Sequence, residues 1–284
     1  MDVNPATYSG VSAIPAEAYA IIIGAMKCGT SSLYRYLVNH PEICPCLKKE
    51  PEFFSEHQGH RFSGVRRYED LWNFDLKRHR FALEASTGYT KYPEEVDIPK
   101  RIFDYGLKPK FIYIVRNPFD RIRSHYEHLR AHFPDFDSST PLTSDTFVNT
   151  SNYALQLDQF RRFFPREDLL ILDFDDLRNR PQNCVLQARR FLGISDVDLP
   201  TQYSVYHQTA SPGETFLSHR PSLRRMGRLL PKSARKAGKL ALERLLKRPQ
   251  WKAREYDIVF ERLAKEMYRF QAEYGFDVSK WGWT

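Results

Sequence analysis

The run Tyr19-Ala20-Ile21-Ile22-Ile23-Gly24, continued by Ala25-Met26-Lys27-Cys28-Gly29-Thr30-Ser31-Ser32, decides how this chain folds. Its first part is short, apolar and rich in β-branched residues, the signature of a strand buried on both faces. Gly24 ends the strand. Thr30 or Ser31 then caps a helix that reads to Asn39 and stops before Pro41. A strand, a glycine-bearing loop and a helix N-terminus together form a natural anion cradle. The helix end offers unpaired N–H groups and positive potential, and glycines let the loop turn tightly. Lys27 adds a full charge, and Thr30, Ser31 and Ser32 add hydroxyls. A plain strand-to-helix turn would need none of these.

The nucleoside-triphosphate loop reads G-x-x-x-x-G-K-[ST]. Gly24 and Gly29 have that spacing, but Thr30 stands where the lysine belongs, and the lysine sits inside the loop at Lys27. A second pattern has the same architecture. Lys110-Phe111-Ile112-Tyr113-Ile114-Val115 reads as a strand, and Pro118 opens a helix to about Arg130. Arg116 at the junction can grip a phosphate in bidentate fashion, and Ser124, two turns along, can donate to the same group.

The rest alternates in the same way. Residues 80–84 and 168–173 read as strands; residues 153–164, 182–192 and 252–274 read as helices. In the last of these, Ile258, Leu263, Met267 and Phe270 form the apolar stripe. Residues 133–148 read as a loop. The alternation predicts an α/β fold with a parallel sheet whose ligand sits at the carboxyl ends of the strands. Residues 1–17 read as a flexible tail and 18–284 as one domain.

The chain has 284 residues, 42% hydrophobic and 27% charged, which excludes a disordered or fibrous protein. The longest apolar run, Ala18 to Met26, is too short to span a bilayer. Residues 1–17 carry no secretory pattern. Cys28, Cys44, Cys46 and Cys184 are too few for a disulfide scaffold. They read as free thiols of a cytoplasmic protein. The net charge of +8 is local: residues 220–254 hold 13 Lys and Arg against one acid, Glu243. Within that stretch, residues 232–248 read as an amphipathic basic helix carrying Leu240, Leu242, Leu245 and Leu246. Packing on the main domain is preferred for it over contact with a membrane. No nucleic-acid partner is expected.

Lys27-Cys28-Gly29-Thr30-Ser31-Ser32 resembles the 5′-phosphosulfate loop of sulfotransferases that use 3′-phosphoadenosine 5′-phosphosulfate (PAPS). Arg116-Asn117-Pro118 through Ser124-His125-Tyr126 resembles their 3′-phosphate motif. Asn39-His40-Pro41, Lys49-Glu50-Pro51-Glu52-Phe53-Phe54, Glu84-Ala85-Ser86-Thr87-Gly88-Tyr89, Phe191-Leu192-Gly193 and Trp281-Gly282-Trp283 are similar to the branch holding bacterial and heparan sulfate sulfotransferases. The resemblance implies a P-loop-like fold with a four- or five-stranded parallel sheet flanked by helices. It implies PAPS as donor, no metal, and an acceptor whose identity the motifs leave open.

Roles follow from the resemblance. Lys27 stabilises the leaving phosphate, and residues 27–32 with Arg116 and Ser124 bind the nucleotide. Glu84, ending a strand, is the candidate general base, with His57, His60 and His125 as competitors. Arg220, Arg224 or Arg225 closes over the 3′-phosphate, and Lys48 and Lys49 lie near the site. Two other classes remain. A P-loop kinase or hydrolase would use Asp173, at the end of the strand 168–173, to hold magnesium. A non-catalytic anion binder would use residues 220–254 and leave both loop motifs without a purpose.

Overall fold

The computed structural model describes residues 14–56, 65–133, 135–196, 225, 231–245 and 250–284. Five strands form one parallel sheet: β1 (Tyr19–Gly24), β2 (Ile43–Pro45), β3 (Phe81–Ala85), β4 (Lys110–Val115) and β5 (Leu169–Asp173). The order is β2-β3-β1-β4-β5. All six residues of β1 are buried, as a central strand of a helix-covered sheet requires. The chain leaves β1 toward β2 on one side and later places β4 on the other, so β1 and β4 flank the point where the winding reverses. Ligands of open α/β sheets bind at that point, beyond the carboxyl ends.

Nine helices are described: α1 (Thr30–Leu37), α2 (Ile98–Asp104), α3 (Pro118–His132), α4 (Asp145–Ser151), α5 (Tyr153–Arg161), α6 (Phe174–Asn179), α7 (Pro181–Leu192), α8 (Lys232–Leu245) and α9 (Ala253–Tyr274). α1 packs on α7 and β3, while α9 packs on α5. The architecture is the expected α/β, P-loop-like one, with five strands.

Several readings need correction. Residues 133–148 are not all loop, because α4 begins at Asp145; its short polar start hid Phe147 and Val148, which are buried. β2 was invisible because Pro45 interrupts a three-residue run, and proline is tolerated only at a sheet edge, where β2 lies. The stripe of α9 contains Val259, with Leu263, Met267, Phe270 and Tyr274, whereas Ile258 points outward. Of the supposed tail, residue Ile14 is buried and Ala16 accepts from the Lys108 N–H; residues 1–13 lie outside the described residues. α8 coincides with the predicted basic helix; Leu246 falls outside the described residues, and Ser233 to Gly238 are exposed. Among the described residues, no helix is long and apolar enough to cross a membrane.

Gly24 sits where no other residue fits. Its φ is +149°, and a Cβ there would lie 2.1 Å from Thr90 Oγ1 and 3.1 Å from the Tyr113 ring. Thr90 Oγ1 donates to Ile23 O at 2.8 Å, so the obstacle is itself fixed. Gly24→Ala should therefore cost about 1–3 kcal/mol or more. Urea denaturation would register it as a lower midpoint, and an unchanged midpoint would refute the packing argument.

Candidate active site

The loop between β1 and α1 starts at an irregularity in the sheet. The β1–β4 register shifts between Ile22 and Gly24, and Ala25 N–H then donates to Ile114 O at 2.8 Å. Lys27 adopts a left-handed φ of 70° and Gly29 one of 85°, so the backbone coils tightly before the helix begins. Gly29 is the N-cap, and the N–H groups of Thr30 and Ser31 in the first turn have no helical acceptor. Such free N–H groups at a helix start are able to donate to an anion. Ser32 N–H is returned to Gly29 O at 2.9 Å.

Cys28 is fully buried within the loop. Its N–H is spent on Ala25 O at 3.1 Å, and burial pushes its thiol up to about 12. It is part of the hydrophobic core.

Arg116 reaches back to this loop from the end of β4. Its Nη1 donates to Lys27 O at 3.4 Å, and its guanidinium lies 4.6 Å from the centre of the Phe174 ring. The two motifs, 89 residues apart, therefore meet. Asn117 Oδ1 accepts the Phe119 N–H at 3.0 Å and caps α3, with Pro118 at its first position. Ser124 lies buried on α3. Lys27 is half-buried. Burial first, and then the Arg116 charge, draw its pKa down from the usual lysine value, against the opposing pull of Glu127 and Glu50.

Three further residues support the site, and two of them, Tyr153 and Phe174, carried no functional signal in the sequence. Tyr153 donates its hydroxyl to Arg116 O at 2.5 Å and accepts the Arg116 N–H at 3.3 Å, pinning the tip of β4. Phe174 stands between Arg116 and Gly29, where a Cβ would meet its ring at 3.2 Å. Trp283 stacks between Phe119 and Phe260, with interplanar angles of 11° and 2°. The C-terminal tryptophan thus braces the start of α3. Tyr153 showed only helical spacing, and Phe174 only its place after a strand.

Glu84 is on β3 and is completely buried, at 0% exposure. It accepts hydroxyls from Tyr68 at 2.5 Å, Ser86 at 2.5 Å and Tyr89 at 3.1 Å. Burial raises its pKa to about 7, while these three bonds pull the other way. Glu50, in contrast, is about a third exposed, pairs with Lys49 at 3.3 Å and is one of the charges acting on Lys27. The sequence reading placed it only within a motif. Lys48 and Lys49 are exposed.

Among the competing histidines, His57 and His60 lie outside the described residues. His125 is buried, its Nδ1 has no hydrogen-bond partner, and burial ahead of the Arg121 charge holds its pKa well below the usual value. Arg220 and Arg224 also lie outside the described residues, and Arg225 is exposed. Asp173 ends β5 as expected, but its carboxylate caps α6 through Asp175 N–H at 3.0 Å and pairs with Lys280. Among the described residues, no group of three or more His, Cys, Asp or Glu could hold a metal ion.

Residues 18–212 match the family profile described as a sulfotransferase domain. The chain belongs to the sulfotransferase family. It is 30% identical over 222 residues to the human bifunctional heparan sulfate N-deacetylase/N-sulfotransferase 3, covering 70% of this chain and 24% of that protein. It is 29% identical over 201 residues to the mouse heparan sulfate glucosamine 3-O-sulfotransferase 3B1, covering 67% of this chain and 49% of that one. The chain thus spans about a quarter of the first relative and about half of the second. Its fold is shared with the crystal structure of a sulfotransferase from Alicyclobacillus acidocaldarius, at a TM-score of 0.65 and 23% identity over 94% of this chain and 99% of the other.

Proposed function

We propose that this sulfotransferase-family chain moves a sulfuryl group from PAPS to a hydroxyl or amine of a carbohydrate, lipid or small-molecule acceptor. The meeting of Arg116 with the Lys27 loop at the free N-terminus of α1 carries this reading. Thr30, Ser31 and Ser32 hold the 5′ end of the nucleotide, and Arg116 and Ser124 hold its 3′-phosphate. As the acceptor attacks sulfur, the bridging S–O bond breaks and its electron pair stays on the 5′-phosphate. Lys27 neutralises that growing charge. A carboxylate takes the acceptor's proton.

Two carboxylates compete for that role. Burial lifts the Glu84 pKa to about 7, yet its oxygens are engaged by three hydroxyls and no part of it reaches solvent. The second reading is Glu50, favoured by its exposure and its charge coupling to Lys27. A metal is not part of the proposal. The pairing of Asp173 with Lys280 and the α6 cap speaks against the kinase-like alternative. A cytoplasmic location and a preference for packing of α8 over membrane contact remain our readings of the sequence.

Calorimetry with adenosine 3′,5′-bisphosphate tests the nucleotide assignment. Wild-type protein should bind it equally with and without chelator. Arg116→Ala should bind it roughly ten- to hundredfold more weakly, the value of a charge-assisted contact of ~1.5–3 kcal/mol. Unchanged affinity in the variant would remove Arg116 from the site.

A further inference from the structure

Glu52 is a buried carboxylate that sulfuryl transfer does not use. It is 3% exposed, two residues after Glu50 and on the same segment. Its Oε1 accepts the Gly88 N–H at 2.8 Å, and its Oε2 is buried with no hydrogen-bond partner. Its own N–H donates to Ser86 Oγ at 3.0 Å, and Ser86 Oγ donates to Glu84 at 2.5 Å. A parallel relay runs two residues on: Phe54 N–H donates to Tyr89 Oη at 3.3 Å, and that hydroxyl donates to Glu84 at 3.1 Å. One carboxylate, Glu84, thus anchors alternate residues of the 50–54 segment through two hydroxyls.

The segment needs an anchor. Glu50 and Glu52 both hold left-handed φ values, 51° and 49°, which cost free energy in residues with a side chain and persist only where their surroundings enforce them. The two carboxylates also require opposite charge states. Glu84 accepts three hydroxyl protons, two at the short distances typical of an ionised acceptor. Glu52 Oε2, buried without a donor, suits the uncharged acid.

We propose that Glu52 and Glu84 are positioning residues, a buried clamp that fixes the 50–54 segment and so presents Glu50 to Lys27. The clamp rests on the reading of Glu50 as the base. It does not touch substrate. The groups facing it are Glu50 on its own segment, Ser86, Tyr89 and Lys91 after β3, Tyr68, Tyr34 of α1, and Cys46. The phenols and the thiol are all pushed upward by burial, so they stay neutral donors. Burial, opposed by the Gly88 bond, lifts Glu52 to about 8, with the Glu84 charge adding to the rise and the Lys91 charge opposing it. Above that pH a second anion appears beside Glu84, and repulsion with no added donor releases the segment.

Hydrogen exchange by mass spectrometry tests this without an acceptor. Peptides covering residues 48–56 and residues 19–24 are followed from pH 6 to 9.5, corrected for intrinsic exchange, in the full chain. In wild type, protection of residues 48–56 should drop about tenfold above pH 8 while residues 19–24 stay protected. Glu52→Gln, a neutral isostere, should keep protection across the range. Ser86→Ala should lose about tenfold at every pH, with affinity for adenosine 3′,5′-bisphosphate unchanged. A flat wild-type profile, or a Glu52→Gln profile that falls like wild type, overturns the clamp. Glu50→Gln should exchange as wild type does. If that variant also transfers sulfate normally, the base assignment fails while the clamp stands.

Discussion

Lys27→Ala should slow single-turnover sulfate transfer by about 10²–10³-fold while retaining measurable affinity for adenosine 3′,5′-bisphosphate. In the proposed mechanism Lys27 is the cation beside the atoms that gain charge, so its interaction would strengthen as the S–O bond breaks. Removing a preorganised charge partner of this kind typically costs that factor. Nucleotide affinity survives in part because the N–H groups of Thr30 and Ser31, the hydroxyls of residues 30–32, and Arg116 do not depend on the lysine side chain. A parallel loss in affinity and rate would mean that Lys27 contributes uniform binding and no transition-state stabilisation. An unchanged rate would remove it from the chemistry.

Glu50→Gln and Glu84→Gln should separate a base from its support. A lost general base typically costs ~10²–10⁴ in rate. If Glu50 takes the proton, Glu50→Gln should lose that factor with nucleotide affinity intact, on whichever amino- or hydroxyl-bearing acceptor a screen identifies. Glu84→Gln should then lose far less, because the amide oxygen still accepts from Tyr68 and Tyr89, which share one carboxylate oxygen, and only the Ser86 bond to the other is given up. If Glu84 is the base, the order reverses. A thermal-melt series separates the structural part. Glu52, the carboxylate held uncharged, has a folded pKa raised above the usual 4.5, so the stability it contributes is complete at acid pH. It is lost as pH rises through about 8. Glu52→Gln should flatten that decline.

The sheet was legible because its strands are unusually pure. Tyr19–Gly24 and Lys110–Val115 run at their predicted bounds, since a strand buried on both faces writes a continuous apolar run. The loop after β1 was legible for a similar reason: Gly24 and Gly29 hold positive φ values that favour glycine. What remained hidden was set by tertiary contact. Nothing local distinguishes Phe174 from any residue after a strand, yet it wedges Gly29 against Arg116. Glu84 and Glu50 both sit in recognisable motifs, but their division into a sealed and an open carboxylate depends on Tyr68, Ser86 and Tyr89. Residue Tyr68 is 16 positions away from Glu84 in the chain. Asp173 is a magnesium ligand only in the kinase-like alternative, and its pairing with Lys280, 107 residues later, is a tertiary contact that no local pattern carries.

The central claim is that the Lys27 loop and Arg116 form one site for a 3′-phosphorylated adenosine phosphosulfate and not for a magnesium–nucleoside triphosphate. Competition calorimetry measures this directly. Adenosine 3′,5′-bisphosphate is titrated into the chain in chelator, beside ATP with magnesium, in wild type and in Arg116→Ala. The account predicts binding of the bisphosphate without metal, weakened roughly ten- to hundredfold in the variant, and much weaker binding of magnesium–ATP. Tight binding of magnesium–ATP, with none of the bisphosphate in chelator, would contradict it.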